Sequence, residues 1–193
     1  MPNNIVITGG KYVGKSTLIK RCLDKFNLIP GGFVVGRTGQ KNRWLSFYLV
    51  DPYDYFYNDM SSKAYQKKKY VIAERNSYKV RYNINVDTFN KKGVELIDTG
   101  IKLRDIVIMD ELGRFELKAE KFQNKVFEAL ESKKPVVAVV KDEHNRFLDK
   151  IRQRDDINLI RVTKDNREEV SNQAYKYLKE LLTYEKEWVK WLI

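Results

Sequence analysis

The chain has 193 residues, of which 42% are hydrophobic and 33% are charged, a balance typical of one folded domain with a highly charged surface. Its single cysteine, Cys22, and its single histidine, His144, exclude an intrachain disulfide and the common zinc sites. No apolar run reaches about eighteen residues and the N-terminus lacks a signal-peptide pattern, so we expect a cytoplasmic protein with no membrane contact. The net charge of +11 favours polyanionic partners such as nucleotides, although a surface that only keeps the protein soluble has the same composition.

The first part of the chain alternates short apolar runs with glycine-rich breaks, a pattern of strands and tight turns around one helix. The elements predicted here are a strand at Ile5–Thr8, a helix at Lys15–Phe26, antiparallel strands at Phe33–Gly36 and Trp44–Asp51, a loop or loose hairpin over 52–69, and strands at Tyr70–Ala73 and Tyr78–Asn83. Residues 31–83 are therefore predicted to form a strand-rich antiparallel extension.

From residue 85 onward, helical spacing and buried apolar runs alternate regularly. The predicted elements are a helix at Asp87–Ile101, a strand at Asp105–Asp110, a helix at Ala119–Ser132, a strand at Pro135–Val140, a helix at Arg146–Gln153, a strand at Leu159–Thr163, and a helix from Asn166 to about Trp191. This alternation predicts an α/β domain spanning 1–193, with a mostly parallel sheet flanked by helices and a long C-terminal helix over 166–193.

A phosphate-binding motif lies between the first strand and the first helix. Residues 9–16 fit G-x-x-x-x-G-K-[ST], in which backbone amides and the helix dipole bind phosphates. Lys15 is predicted to reach the β- and γ-phosphates, the Ser16 hydroxyl to bind Mg²⁺, and Thr17 to lie near the α-phosphate. The nucleotide-binding residues predicted here are Gly9, Gly10, Lys11, Tyr12, Val13, Gly14, Lys15, Ser16 and Thr17.

A pair of carboxylates ends the buried strand at Asp105–Asp110. In a chain with a phosphate loop, Asp110 is suited to bind Mg²⁺ together with Ser16. Glu111 is placed to orient or deprotonate the attacking water, so Glu111 and Lys15 are the predicted catalytic residues. Asp110, Glu111 and the nearby Gly113 complete the predicted nucleotide site. The alternative interpretation is that Asp110 and Glu111 only end the strand and cap the segment that follows.

Several segments occur together in an order that resembles the small nucleoside-triphosphatase family of the thermophilic THEP-type enzymes and the vertebrate cancer-related nucleoside-triphosphatase. They are Gly9–Leu18, Gly31-Gly32-Phe33, Asp110–Leu117, Lys134–Val140, and Val162-Thr163 with Asn166-Arg167. The resemblance implies a RecA-like P-loop NTPase fold and slow, magnesium-dependent hydrolysis of several nucleoside triphosphates to diphosphate and phosphate.

The chain departs from this family in two places near the predicted site. Lys11-Tyr12 stands where family members usually carry Pro-Gly, and we expect both side chains to point to solvent rather than to narrow the loop. The segment Val34–Arg37 stands where the family usually has Glu-Val-Arg, so its acidic residue is missing. Both changes bear on the rate and on the nucleotide preference, and they leave the fold prediction intact.

Four further residues have alternative interpretations. Arg114 is a candidate to neutralise charge in the transition state, or a surface arginine. Glu116 is expected to hydrogen-bond within the loop after Glu111. Asn166 is expected to cap the final helix rather than to contact a base. Cys22 is expected in the core.

The predicted function is slow, Mg²⁺-dependent hydrolysis of ATP, GTP and other nucleoside triphosphates by a monomer. A nucleotide or nucleoside kinase is one alternative, although its lid would have to be the arginine-free segment 52–69. A nucleotide-gated RNA-binding module is the other, because tyrosines and lysines in that segment suit single-stranded nucleic acid. This nucleic-acid partner is the less favoured one.

Overall fold

The structure is a computed structural model, and it describes residues 4–40, 43–58, 70–76 and 81–190. Its strands are β1 (Asn4–Thr8), β2 (Pro30–Gln40), β3 (Arg43–Val50), β4 (Tyr70–Arg75), β5 (Tyr82–Ile84), β6 (Ile106–Leu112), β7 (Val136–Val140) and β8 (Ile157–Arg161). Its longer helices are α1 (Lys15–Phe26), α2 (Pro52–Tyr57), α3 (Val94–Leu103), α4 (Glu120–Glu131), α5 (Arg146–Arg152) and α6 (Arg167–Lys190). A short helix at Val86–Thr88 and a π-helix at Phe89–Gly93 lead into α3, and a 3₁₀-helix at Phe115–Lys118 precedes α4.

The strands form one sheet in the order β5-β4-β3-β2-β6-β7-β1-β8. β2, β6, β7, β1 and β8 pair in parallel, whereas β3, β4 and β5 extend the sheet in antiparallel fashion. β2 belongs to both parts, because Pro30–Val34 pair with β6 and Val34–Gln40 pair with β3. The predicted mostly parallel sheet with an antiparallel extension is confirmed.

Helices cover both faces of this sheet, and each covered face has its own apolar core. On one face Phe122 of α4 packs between Phe33 and Phe89, with ring centroids 5.3 and 5.1 Å away. On the other face α1 and α6 pack through buried residues that include Leu23, Cys22 and Ala174. Parallel strands covered on both faces must be apolar throughout, which explains the uninterrupted hydrophobic runs of β1, β6 and β7.

The close packing of α3 against β2 depends on glycine. A Cβ atom on Gly100 would lie 2.8 Å from the backbone nitrogen of Gly32, a distance at which the two elements would have to move apart. Gly100 weakens the helical propensity of its segment, but here it allows the helix backbone to approach the sheet. The helix predicted at Asp87–Ile101 is therefore present despite its glycines, although its first turns adopt π geometry at Phe89–Gly93.

The loop predicted over 52–69 is wrong in its first part, where Pro52–Tyr57 form α2. The Asp51 side chain accepts a hydrogen bond from the Tyr53 amide at 2.8 Å, and Pro52 occupies the first helical turn. An aspartate cap followed by proline is a helix start signal, and it outweighs the β-propensity of the tyrosines. The rest of the Tyr/Lys segment, 59–69, lies outside the described residues, as do residues 78–80 of the strand predicted at Tyr78–Asn83.

Candidate active site

The phosphate-binding motif forms the connection between β1 and α1, as predicted. The Lys15 ammonium group donates hydrogen bonds to the carbonyl oxygens of Gly9 at 2.9 Å and of Gly10 at 2.7 Å. Burial lowers the pKa of Lys15, and the nearby carboxylates of Glu111 and Asp110 oppose that shift. The lysine therefore folds back over the loop while facing both carboxylates.

Gly9 is required where the loop passes the end of β8. Its φ of 137° lies outside the range that other residues adopt easily, and a Cβ atom there would lie 2.2 Å from the Val162 carbonyl oxygen. The Val162 amide also donates a hydrogen bond to the Thr8 carbonyl at 2.9 Å. The start of the phosphate loop is thus fixed against the segment that follows β8.

Tyr12 adopts a left-handed backbone conformation with a φ of 62°, which glycine tolerates at little cost and tyrosine does not. Its side chain is 53% exposed, and Lys11 is also exposed. Both side chains of the Lys11-Tyr12 pair therefore reach solvent. At residue 12 the loop geometry favours glycine, which the family usually has there, but this chain has a tyrosine.

Ser16 and Asp110 meet at the carboxyl edge of the sheet, although they are far apart in sequence. The Ser16 hydroxyl donates a hydrogen bond of 2.7 Å to the Asp110 Oδ2 atom. Burial raises the pKa of Asp110 to about 6, and the Ser16 hydrogen bond opposes that rise. A buried carboxylate beside a hydroxyl supplies two of the oxygen ligands that Mg²⁺ prefers.

The described residues contain no group of three or more His, Cys, Asp or Glu side chains that could hold a metal ion by themselves. Mg²⁺ in nucleotide sites takes one or two protein ligands and completes its coordination with phosphate oxygens and water. The Ser16–Asp110 pair therefore fits an ion that arrives with its nucleotide.

Glu111 lies beside two cations from other parts of the chain, Arg37 and Lys141. Its Oε2 atom is 3.3 Å from the Nη2 atom of Arg37 and 3.9 Å from the Nζ atom of Lys141. Arg37 lies on the part of β2 that runs beyond β6, and Lys141 follows the last residue of β7. The carboxylate predicted to act on water is thus partly neutralised by side chains that sequence analysis did not connect with it.

Arg37 and Lys141 are the residues that sequence analysis missed. Two signals pointed toward them: Arg37 belongs to the segment that stands where the family usually has Glu-Val-Arg, and Lys141 directly follows a buried strand, as the carboxylate pair ends one. Arg114, the arginine considered instead, has a 64% exposed side chain and lies 3.9 Å from the Glu143 carboxylate. Arg114 therefore adopts the surface arrangement that was its alternative interpretation.

The loop after Glu111 is held by Glu116, as expected. The Gly113 amide donates a hydrogen bond of 3.0 Å to the Glu116 Oε2 atom, and both residues are buried. Burial raises the pKa of Glu116 to about 7. The 3₁₀-helix thereby fixes the backbone that carries Gly113 next to the carboxylate pair.

The remaining predicted residues lie around the start of α1. Val13 is buried, Thr17 is exposed on the first turn of α1, and the Arg167 guanidinium lies near Gly14, with its Nε atom 3.6 Å from the position of an added Cβ. Asn166 directly precedes α6, in the predicted cap position, and its carbonyl oxygen accepts a hydrogen bond from the Val170 amide at 2.9 Å. Its side-chain oxygen accepts a hydrogen bond from the Thr163 amide and its nitrogen donates to the Arg161 carbonyl, so Asn166 fixes the turn before α6.

Across the described residues, no helix is both long and apolar enough to cross a lipid bilayer.

Comparison with known proteins identifies related chains over nearly the full length. The model of a family described as NTPase matches residues 4–175. Nucleoside-triphosphatase THEP1 of Methanopyrus kandleri is 28% identical over 190 residues, which cover 94% of this chain and 98% of that protein. Nucleoside-triphosphatase THEP1 of Thermotoga maritima is 27% identical over 179 residues, covering 91% and 95% respectively.

A solved structure shares the fold. The solution structure of a human cancer-related nucleoside triphosphatase superposes with a TM-score of 0.65 at 17% identity, covering 92% of this chain and 97% of that chain. At that identity the similarity concerns the fold alone, and the predicted P-loop-type α/β fold is confirmed.

Proposed function

Because the chain belongs to the NTPase family, and is therefore a nucleoside-triphosphatase, we propose that it hydrolyses ATP, GTP and further nucleoside triphosphates slowly and with Mg²⁺. The observation that carries this proposal is the Glu111 carboxylate, which follows Asp110 at the strand end and faces Lys15 of the phosphate loop. A carboxylate in this position is suited to activate water, which a phosphotransferase would have to exclude from the site.

The proposed roles follow from the contacts of each side chain. Lys15, now bonded to the Gly9 and Gly10 carbonyls, exchanges these acceptors for the β- and γ-phosphate oxygens. The amides of residues 9–17 point at the phosphates from the N-terminus of α1. Ser16 and Asp110 would hold Mg²⁺, which would supply positive charge to offset that of the phosphates.

Glu111 accepts the proton of the attacking water in this proposal. The water oxygen forms a bond to the γ-phosphorus, the bond from that phosphorus to the bridging oxygen breaks, and its electron pair stays on the nucleoside diphosphate. Gly113 lies next to the Asp110–Glu111 pair, and the hydrogen bond to Glu116 fixes its backbone there. The general name nucleoside-triphosphatase of the relatives supports a broad choice of base.

The test measures phosphate release from ATP, GTP, CTP and UTP, with and without Mg²⁺ and with no acceptor present. We expect slow, metal-dependent release from several nucleotides, and its loss in Glu111→Gln while nucleotide binding persists. Glu143→Gln is the matched control, since that carboxylate lies near Arg114 and outside the proposed machinery. Native turnover by Glu111→Gln would show that another group activates the water.

A further inference from the structure

β2 carries its single arginine, Arg37, past the last residue that pairs with the parallel part of the sheet. Val34 pairs with Asp110 of β6 on one side and with Val50 of β3 on the other, and β2 then continues to Gln40 paired with β3 alone. Arg37 lies on this continuation. The antiparallel extension thereby places an arginine beside the residues that end β6, although it contributes no carboxylate and no phosphate-loop residue of the proposed site.

The Arg37 guanidinium is held in place but incompletely bonded. Its Nη2 atom bonds to Glu111 at 3.3 Å, and its Cζ atom lies 5.8 Å from the Trp44 ring and 6.0 Å from the Phe47 ring. The Nε atom is buried and has no hydrogen-bond partner. An unpaired buried donor is costly, so this arrangement suits a ligand that brings additional acceptor oxygens.

The charges around Arg37 identify the class of that ligand. Arg37 and Lys15 lie close enough to interact as like charges, and both also interact with the Glu111 carboxylate. Lys141 is the third cation beside Glu111. Three cations therefore surround the Glu111 carboxylate, and a triphosphate offers them further acceptor oxygens. Guanidinium groups match phosphoryl oxygens in geometry.

We propose that Arg37 is a catalytic arginine supplied in cis by the antiparallel extension. Its guanidinium moves from the Glu111 carboxylate to the γ-phosphoryl oxygens as negative charge develops on them. The same movement frees Glu111 to take the proton from water, while Arg37 itself exchanges no proton and forms no covalent bond. This inference rests on the proposed hydrolysis. It adds that one residue, Arg37, both stabilises the negative charge of the transition state and leaves Glu111 free to act as the base.

The experiment compares Arg37→Ala and Arg37→Lys with Arg114→Ala, the control arginine that lies on the exposed side of the loop. Three quantities are measured with each purified full-length variant: the turnover number for ATP, the affinity for ADP, and the affinity for ADP with Mg²⁺ and aluminium fluoride, which imitates the transferring phosphoryl group. Thermal unfolding of each variant checks that it is folded.

We expect Arg37→Ala to lower turnover by about 10³-fold and to weaken the aluminium fluoride complex strongly, with ADP affinity close to wild type. Added guanidinium ion should restore part of the activity of Arg37→Ala, and Arg37→Lys should keep an intermediate rate. Arg114→Ala should behave like the wild type in all three measurements.

Two results would overturn the inference. One is turnover of Arg37→Ala equal to that of Arg114→Ala. The other is reduced turnover with an unchanged aluminium fluoride complex and no guanidinium rescue, which would mean that Arg37 only positions Glu111. If the wild type hydrolyses ATP and Glu111→Gln does not, either result would refute the role of Arg37 and leave the proposed function intact. A wild type that releases no phosphate removes the proposed function and this inference together.

Discussion

The parallel part of the sheet and its antiparallel extension contribute to the site in different ways. The parallel part supplies the phosphate loop after β1 and the carboxylate pair at the end of β6, and both are contiguous in sequence. The extension contributes Arg37, which reaches Glu111 only because β2 runs past β6. Groups proposed to bind the nucleotide are therefore local in sequence, whereas the environment of the proposed base is assembled across strands.

The two parts are joined by aromatic packing beside the site. Phe47 of β3 lies 5.2 Å from Tyr82 of β5 and 5.2 Å from Phe115 of the 3₁₀-helix, measured between ring centroids. The Lys141 ammonium group lies 5.2 Å from the Phe115 ring. The extension therefore packs against the same loop that carries Gly113 and Glu116, so a change in either part reaches the environment of Glu111.

The largest expected effect is on nucleotide binding, and it tests the phosphate loop of the parallel part. Lys15→Ala should weaken binding of a fluorescent ATP analogue by about 100-fold or more, because it removes a charge-assisted contact to the phosphates. Lys11→Ala, an exposed lysine of the same loop, should bind within a few-fold of wild type. Equal affinities of the two variants would contradict the role proposed for Lys15, and the titration by fluorescence decides between them.

A smaller effect tests the loop that joins the two parts, through the buried Glu116. Its pKa of about 7 means that the native protein holds a proton which the unfolded chain releases from about pH 4.5 upward. The free energy of unfolding should therefore fall as the pH rises from 4.5 to 7. Glu116→Gln should remove this fall and be more stable than wild type by about 2–3 kcal/mol at pH 8, with little difference at pH 4.

Urea denaturation at pH 4, 6 and 8 measures this difference. Glu120→Gln is the control, since it removes an exposed carboxylate from the start of α4. A Glu116→Gln protein that is less stable than wild type at pH 8 would show that the ionised carboxylate, through its bond to Gly113, stabilises the loop.

The smallest effect concerns the phosphate loop alone. Tyr12→Gly should raise the free energy of unfolding by about 0.5–1 kcal/mol, because glycine adopts the left-handed conformation of residue 12 without strain. Lys11→Gly should instead lower stability, since a glycine there only increases the freedom of the unfolded chain. Thermal unfolding distinguishes the two, and a destabilised Tyr12→Gly would show that contacts of the tyrosine ring outweigh its backbone strain.

Much of the fold could be predicted from the periodicity of hydrophobic residues and from the glycine and proline residues that end the elements. The strands ending in Thr8 and Val140 and the helix at Lys15–Phe26 are uninterrupted apolar or one-faced patterns, and the structure contains each of them. The family resemblance based on the phosphate loop and the Asp110–Leu117 segment is also confirmed. The family also favours hydrolysis over the kinase alternative. The roles of individual site residues, the RNA-binding alternative, the monomeric state and the cytoplasmic location stay predictions.

The sequence by itself determined the α/β class, the phosphate loop and the carboxylate pair, because each depends on residues that are adjacent or regularly spaced. Only the tertiary structure decided that Arg37 rather than Arg114 faces Glu111, and that the Asn166 side chain bonds back to Thr163 and Arg161. The physical reason is strand register. The pairing of Val34 with Asp110 fixes how far β2 continues beyond its pairing with β6, and no local sequence pattern encodes that distance.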